Sequence, residues 1–218
     1  MFAVIFAVQP KPDQWEQYLD LAKQLRPELE QIDGFLENER YRSRRTDGRL
    51  LSLSIWANEK AVIRWRTHAM HHAVQERGRF AIFRDYHLRV GEITADSGLP
   101  RTQRPEQMRF DTTEIGAAPV VSLAELNAQT LPESLEVTGA ASVHDSELFD
   151  SISTPGKLLF VVSWRDAEAA EAWHPPTSLR DGSCVRHRRV RVIRDYGLLD
   201  RREAPQFYPA VAPRGGGG

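Results

Sequence analysis

The stretch Leu50–Ile93, LLSLSIWANEKAVIRWRTHAMHHAVQERGRFAIFRDYHLRVGEI, decides the fold of this chain. Leu50–Trp56 reads as a strand, and Asn58 is a capping residue placed to start a helix. Val62, Trp65, Ala69 and Ala73 follow at steps of three and four, a narrow apolar stripe along one long helix. Gly78 ends that periodicity, and Tyr86–Ile93 returns as a strand. The helix carries His68, His71 and His72 within about two turns of Trp65.

The residues upstream complete a unit. Phe2–Val8 (FAVIFAV) is apolar at nearly every position, as a strand buried on both faces must be. Asp13 with Glu16 three residues on resembles a capping box, and Trp15, Leu19, Ala22, Leu25, Leu29 and Ile32 form one helical stripe. Pro27 falls inside it and predicts a kink or split near Arg26; Gly34 is the expected stop. Phe35–Arg45 alternates weakly before Asp47-Gly48, a hairpin signal. The order is β-α-β-β-α-β, a ferredoxin-like split βαβ unit.

The same grammar returns 108 positions later: Gly48, Trp56 and Trp65 become Gly156, Trp164 and Trp173, with identical spacings of 8 and 9 residues. Asp166 stands near the place of Asn58, again a capping type. The second copy is expected to open with a strand at Met108–Ile115 and a helix over Val120–Leu135, interrupted by Pro132. Strands at Ser142–Ile152 and Lys157–Trp164 follow, joined at Thr154-Pro155-Gly156. A helix ending at Trp173 before Pro175-Pro176, and a strand at Arg188–Tyr196, complete it. The expected architecture is α+β: two ferredoxin-like repeats over residues 1–95 and 107–203, the second degenerate, with a linker at 96–106 and a flexible tail at 204–218. Each unit's sheet has one face without helices. Packing two units sheet to sheet, within the chain or across a homodimer, would cover both faces and leave a lumen.

Composition bounds the function classes. The chain is 41% apolar and 27% charged, ordinary for a globular protein, and no apolar run is long enough to span a bilayer. A net charge of −1 provides no bulk attraction for nucleic acid or anionic lipid. The single cysteine, Cys184, excludes a disulfide framework and fits the cytoplasm, and no acid partner or nucleophile motif surrounds it. The clusters Arg40-Arg42-Arg44-Arg45 and Arg186-Arg188-Arg189-Arg191 lack stacking aromatics and read as solvated strand edges.

The differences between the copies point to a site. Ser52, Ser54 and Trp56 share one strand face, and their counterparts are Phe160, Val162 and Trp164. If that face lines the lumen, the first half is hollow and wettable and the second is filled. His68 corresponds to Pro176, so the second copy has also dropped the histidines. His68 and His72 at i and i+4 suit a pocket base, a metal pair or a solvated helix face; no third ligand stands at a metal-binding spacing. His87 and Arg89 share the strand face opposite Leu88 and Val90, where they suit an oxygenated substrate or a solvated edge.

These residues resemble the antibiotic biosynthesis monooxygenase family of dimeric α/β-barrel proteins. The resemblance rests on residues 1–95: the apolar first strand, Gly34-Phe35, Ser54-Ile55-Trp56, Trp65-x2-His68-x2-His71 and Tyr86-His87-Leu88-Arg89-Val90. It implies a barrel of two ferredoxin-like sheets and oxidation of a small aromatic or quinol-type molecule by molecular oxygen, without metal or other cofactor. It assigns catalysis to Trp65 with His68 or His71, and substrate contacts to Ser52, Ser54, Trp56, His72, His87 and Arg89. Hydroxylating members carry an Asn one turn before the tryptophan, where this chain has Ala61. A second branch binds and degrades haem, and other members bind small ligands without catalysis. Its haem-handling members use an Asn on the first strand, which Phe2–Val8 lacks.

Overall fold

The computed structural model describes residues 1–100, 102–103, 105–127, 135, 137, 140–175 and 184–205. The first half runs β1 (Phe2–Pro10), α1 (Trp15–Glu30), β2 (Phe35–Ser43), β3 (Leu50–Trp56), α2 (Glu59–Thr67), α3 (Ala69–Arg77) and β4 (Phe83–Asp96). The second runs β5 (Val120–Asn127), β6 (Val143–Ser151), β7 (Lys157–Trp164), α4 (Ala167–Ala172) and β8 (Cys184–Gly197). All eight strands close into one antiparallel barrel in the order β1-β3-β2-β6-β7-β5-β8-β4. No described helix is long and apolar enough to cross a membrane.

The halves are wired alike. β1 lies between β3 and β4 with Phe2 opposite Trp56, and β5 lies between β7 and β8 with Val120 opposite Trp164. Asn58 and Asp166 both cap, accepting from the backbone N–H of Ala61 (3.0 Å) and Ala169 (2.7 Å). Gly48 and Gly156 both take the positive φ that their hairpin turns require. The barrel closes within one chain through β4–β8 and the shorter β2–β6 pairing.

Several local expectations change. Val120–Asn127 is strand, not helix, and Met108–Ile115 is an irregular strap whose Phe110 is 87% exposed. The three-residue spacings of Val120, Leu123 and Leu126 imitate a helical stripe. Their β-branched start and burial on both faces instead suit a central strand. The later part of the expected 120–135 helix, Pro176 and residues 206–218 lie outside the described residues. Helix α1 runs unbroken through Pro27, which sits in its last turn, and Gln14, not Asp13, occupies its N-cap without a side-chain bond.

The space between the two sheets is not a lumen. Strand alternation sends Ile5, Leu51, Leu53, Ile55 and Ile93 inward to meet Val121, Leu123, Leu159, Val161 and Val192, with Tyr41 and Phe149 filling the ends. At roughly 1.5–3 kcal/mol for each large apolar side chain removed from water, this shared core binds the halves together.

Members of both arginine clusters form seams between the halves. Arg44 pairs bidentately with Asp150 (2.8 and 2.7 Å), and Arg45 with Asp145 (2.8 Å). Arg188, 1% exposed, donates to Asp96 (3.2 Å), Glu125 (2.5 Å) and Glu37. Strand register alone could not show this, because the carboxylate partners lie about a hundred residues away.

Candidate functional site

The hollow lies on the outer face of the first half's sheet, beneath its helices. Ser52 and Ser54 point outward from β3 and look onto a cavity of about 320 Å³. Val4, Leu88 and Val90 extend its floor, Leu25 and Leu29 of α1 and Val62 and Trp65 of α2 form the roof, and His71, His72 and Val74 of α3 close one side. The second half contributes Arg194 and Tyr196, because β8 pairs along β4. Such a cavity falls near the lower end of the ~300–1,000 Å³ of small-molecule pockets.

The expected long helix is broken at His68, whose ψ of 128° is extended and which ends α2 and begins α3. The Thr67 hydroxyl donates to the carbonyls of Ile63 (2.9 Å) and Arg64 (3.3 Å), satisfying acceptors that a helix end leaves open. The i, i+4 relation of His68 and His72 on a continuous helix therefore does not hold. The break instead folds α3 back so that His71 stacks under Trp65, with ring centroids 4.2 Å apart and planes at 13°. Nδ1 of His71 lies 2.9 Å from the Trp65 carbonyl oxygen. A carbonyl only accepts, so Nδ1 carries the proton and Nε2 keeps a lone pair. Burial, opposed by that carbonyl bond, pushes the imidazole down to about 4. His71 is thus neutral at neutral pH, with an acceptor at Nε2.

The other sequence candidates divide. Ser52, Ser54, Trp65, His71 and His72 line the cavity. Trp56 is fully buried behind that wall, donating from Nε1 to the Ser54 hydroxyl (2.9 Å) with Phe35 edge-on at 5.4 Å. His68 faces α1, its Nε2 3.6 Å from Glu28. His87 and Arg89 point to the opposite face of β4 from Leu88 and Val90, where His87 meets Asp195 (2.5 Å) and Arg89 donates to Ser163 (2.8 Å). Strand period separates them from the cavity. Among the described residues no three His, Cys, Asp or Glu side chains are grouped to hold a metal ion.

Position 61 is one departure from the family pattern. Ala61 is fully buried, and Gly34, at φ +88°, passes so close that a Cβ there would lie 2.8 Å from the Ala61 methyl. This seat faces the α1–β2 connection.

Sequence reading missed Tyr18, Asn38, Arg40, Tyr86, Arg194 and Tyr196, all on the cavity wall. Asn38 and Arg40 were within reach: in the hairpin register they stand opposite Ser54 and Ser52. Asn38 donates to the Ser52 hydroxyl and to the Leu53 carbonyl, both at 3.0 Å. Arg194 and Tyr196 gave no local signal, since only the β4–β8 pairing brings them in. Burial raises the Tyr86 and Tyr18 hydroxyls and pushes Tyr196 up to about 12, so all three stay protonated donors.

The site can therefore exclude water from a small apolar molecule while offering it a neutral imidazole acceptor and several hydroxyl donors. The antibiotic biosynthesis monooxygenase family model matches residues 1–77. A jasmonate monooxygenase of Pyricularia oryzae is 40% identical over 224 residues, covering 97% of this chain and 100% of that protein. An uncharacterized protein, YqjZ, of Bacillus subtilis is 32% identical over 92 residues, 42% of this chain and 78% of that one. Among solved structures, an aldoxime dehydratase in complex with butyraldoxime shares the fold at a TM-score of 0.54 and 13% identity, covering 88% of this chain and 79% of that one. With a full-length relative at 40% identity and the family model matching residues 1–77, this chain belongs to the antibiotic biosynthesis monooxygenase family.

Proposed function

We propose that this chain is a monooxygenase that inserts oxygen into a small, largely apolar, oxygenated molecule held in the first-half cavity. The observation that carries this reading is the apolar cavity with one neutral histidine fixed beneath Trp65. The full-length likeness to a jasmonate monooxygenase makes jasmonate the first substrate to test, ahead of the aromatic quinols that the family resemblance implies. We read the two halves as copies of one unit, the second kept as scaffold.

In this reading Nε2 of His71 accepts a hydrogen bond from the substrate's hydroxyl or enol. With its imidazolium disfavoured by burial, His71 is a weak base. It orients and polarises the substrate, and the surrounding apolar walls strengthen that polarisation by excluding water. Electron balance divides the substrates. An activated methylene going to a carbonyl consumes one oxygen molecule and releases one water with no further reductant. Hydroxylation of an ordinary C–H needs two more electrons, which a nicotinamide or ascorbate must supply.

The test is incubation under isotopically labelled oxygen with jasmonate and with a panel of quinols and anthrones, each with and without added reductant. Label in the product supports the proposal. No uptake above the protein-free rate in any arm refutes it. Haem binding is the competing reading, in which His71 would be the residue to hold the iron. A Soret shift on adding haemin to micromolar protein would favour it.

A further inference from the structure

The charge around the cavity is lopsided. Its apolar walls carry the guanidinium groups of Arg40, Arg66, Arg79, Arg194 and Arg201 against the carboxylates of Glu59 and Glu76. Two of the arginines are engaged with rings: Arg201 donates to the Tyr86 hydroxyl and lies over Tyr196 at 5.7 Å, and Arg79 lies over Phe80 at 5.4 Å. Arg40 differs. It rises from the middle of β2 opposite Ser52, beneath α1. Among the described residues no carboxylate lies within 4.0 Å of it, whereas further along the chain Arg42 lies over Trp15 and Arg44 is paired with Asp150. Among the described residues its Nε, like that of Arg79, is inaccessible to water and has no hydrogen-bond partner, and its side chain lies within hydrogen-bonding reach of the Tyr18 hydroxyl.

A buried donor on a permanent cation, left without an acceptor, is costly in a protein on its own. It is well placed if the acceptor arrives with the ligand. A guanidinium presents paired, parallel N–H groups, which match the two oxygens of a carboxylate. Ser52 adds a hydroxyl beside it, whose oxygen already accepts from Asn38 and whose proton is therefore free to point at the ligand. The second half has no such group: Leu148 stands across from Phe160, the counterpart of Ser52, as Arg40 stands across from Ser52.

We propose that the cavity selects an amphipathic monocarboxylate, with Arg40 as the specificity-determining residue that binds its carboxylate and Tyr18 and Ser52 completing the head-group seat. The apolar body then lies along Val4, Leu25 and Val62 toward Trp65 and His71. This rests on the first-half cavity being the substrate site, but not on the oxygen chemistry.

Binding without oxygen tests it. Aliphatic carboxylates of graded chain length up to decanoate, with the methyl ester of each, are titrated into the intact chain anaerobically, and calorimetry and tryptophan fluorescence are followed. At least one acid should bind tenfold or more tightly than its ester. Arg40→Met should remove that preference by weakening the acid alone, and Arg40→Lys should restore part of it. Esters bound as tightly as their acids across the whole series in the parent protein overturn the proposal without any variant, as does the absence of saturable binding by every acid. An Arg40→Met protein that keeps the preference overturns it too. If acids bind through Arg40 but no oxygen is consumed, the carboxylate site stands and the monooxygenase reading falls. If label enters a substrate but no acid is preferred over its ester through Arg40, the reverse holds.

Discussion

The outer faces of the two halves start from the same parts and end differently. In the first, Trp65 lies stacked on His71 above an open cavity. In the second, Trp173 is 5% exposed and packs on Trp164 at 5.7 Å and Phe160 at 6.3 Å, filling the equivalent space. The buried strand-ending tryptophans are alike, each donating its indole N–H to a serine hydroxyl, Ser54 at 2.9 Å and Ser122 at 3.0 Å. The comparison separates scaffold from site. What both halves keep holds the barrel, and what only the first half has among the described residues, small hydroxyl residues on the outer face of β3 and a helix folded back at His68, makes the hollow.

The largest effect should come from the shared scaffold. Trp164→Ala removes a fully buried side chain and should cost ~3–5 kcal/mol in chemical denaturation. Trp65→Ala should cost less stability but more ligand affinity, and the reverse ranking would break the division drawn here. Next comes the hollow itself. Ser52→Phe copies Phe160 into the first half and should fill the cavity, lowering ligand affinity or turnover at least tenfold, about 1.4 kcal/mol, while the protein remains folded.

A smaller effect is expected from pH. The unfolded His71 titrates near 6.5 and the folded one near 4, so the unfolded state binds more protons between those values. Stability should therefore rise with pH across that window and be lost as pH falls from 6.5 to 4, by ~2 kcal/mol after discounting for partial exposure. His71→Gln should flatten this part of the profile, as followed by urea midpoints. The smallest effect belongs to the exposed seam: Arg44→Ala should cost under ~1 kcal/mol, falling further in high salt, despite its bidentate bond to Asp150.

The sequence showed most where local chemistry decides structure. Asn58 and Asp166 as caps, Gly48 and Gly156 as turns, and the run Lys157–Trp164 as strand all follow from rules that need only neighbouring residues. It misled where two patterns coincide: Val120–Asn127 satisfies helical spacing and central-strand burial together, and only the barrel decides between them. It also misled at His68, because an apolar stripe continuing across a break looks like one helix. Ser52 and Ser54 were legible as a hollow through contrast with Phe160 and Val162. Which side of the sheet that hollow lies on depends on which face the other half covers. For the same reason Arg194 and Tyr196, and the carboxylates paired with Arg188, were out of reach: each is a contact across the seam.

We propose that oxygen is inserted in the first-half cavity. Label incorporation from isotopic oxygen, compared between the parent protein, Ser52→Phe and Trp173→Phe, tests it most directly. The account predicts substrate-dependent label in the parent, its loss in Ser52→Phe, and its retention in Trp173→Phe, whose change lies in the filled half. A folded Ser52→Phe protein that incorporates label as fast as the parent would contradict it.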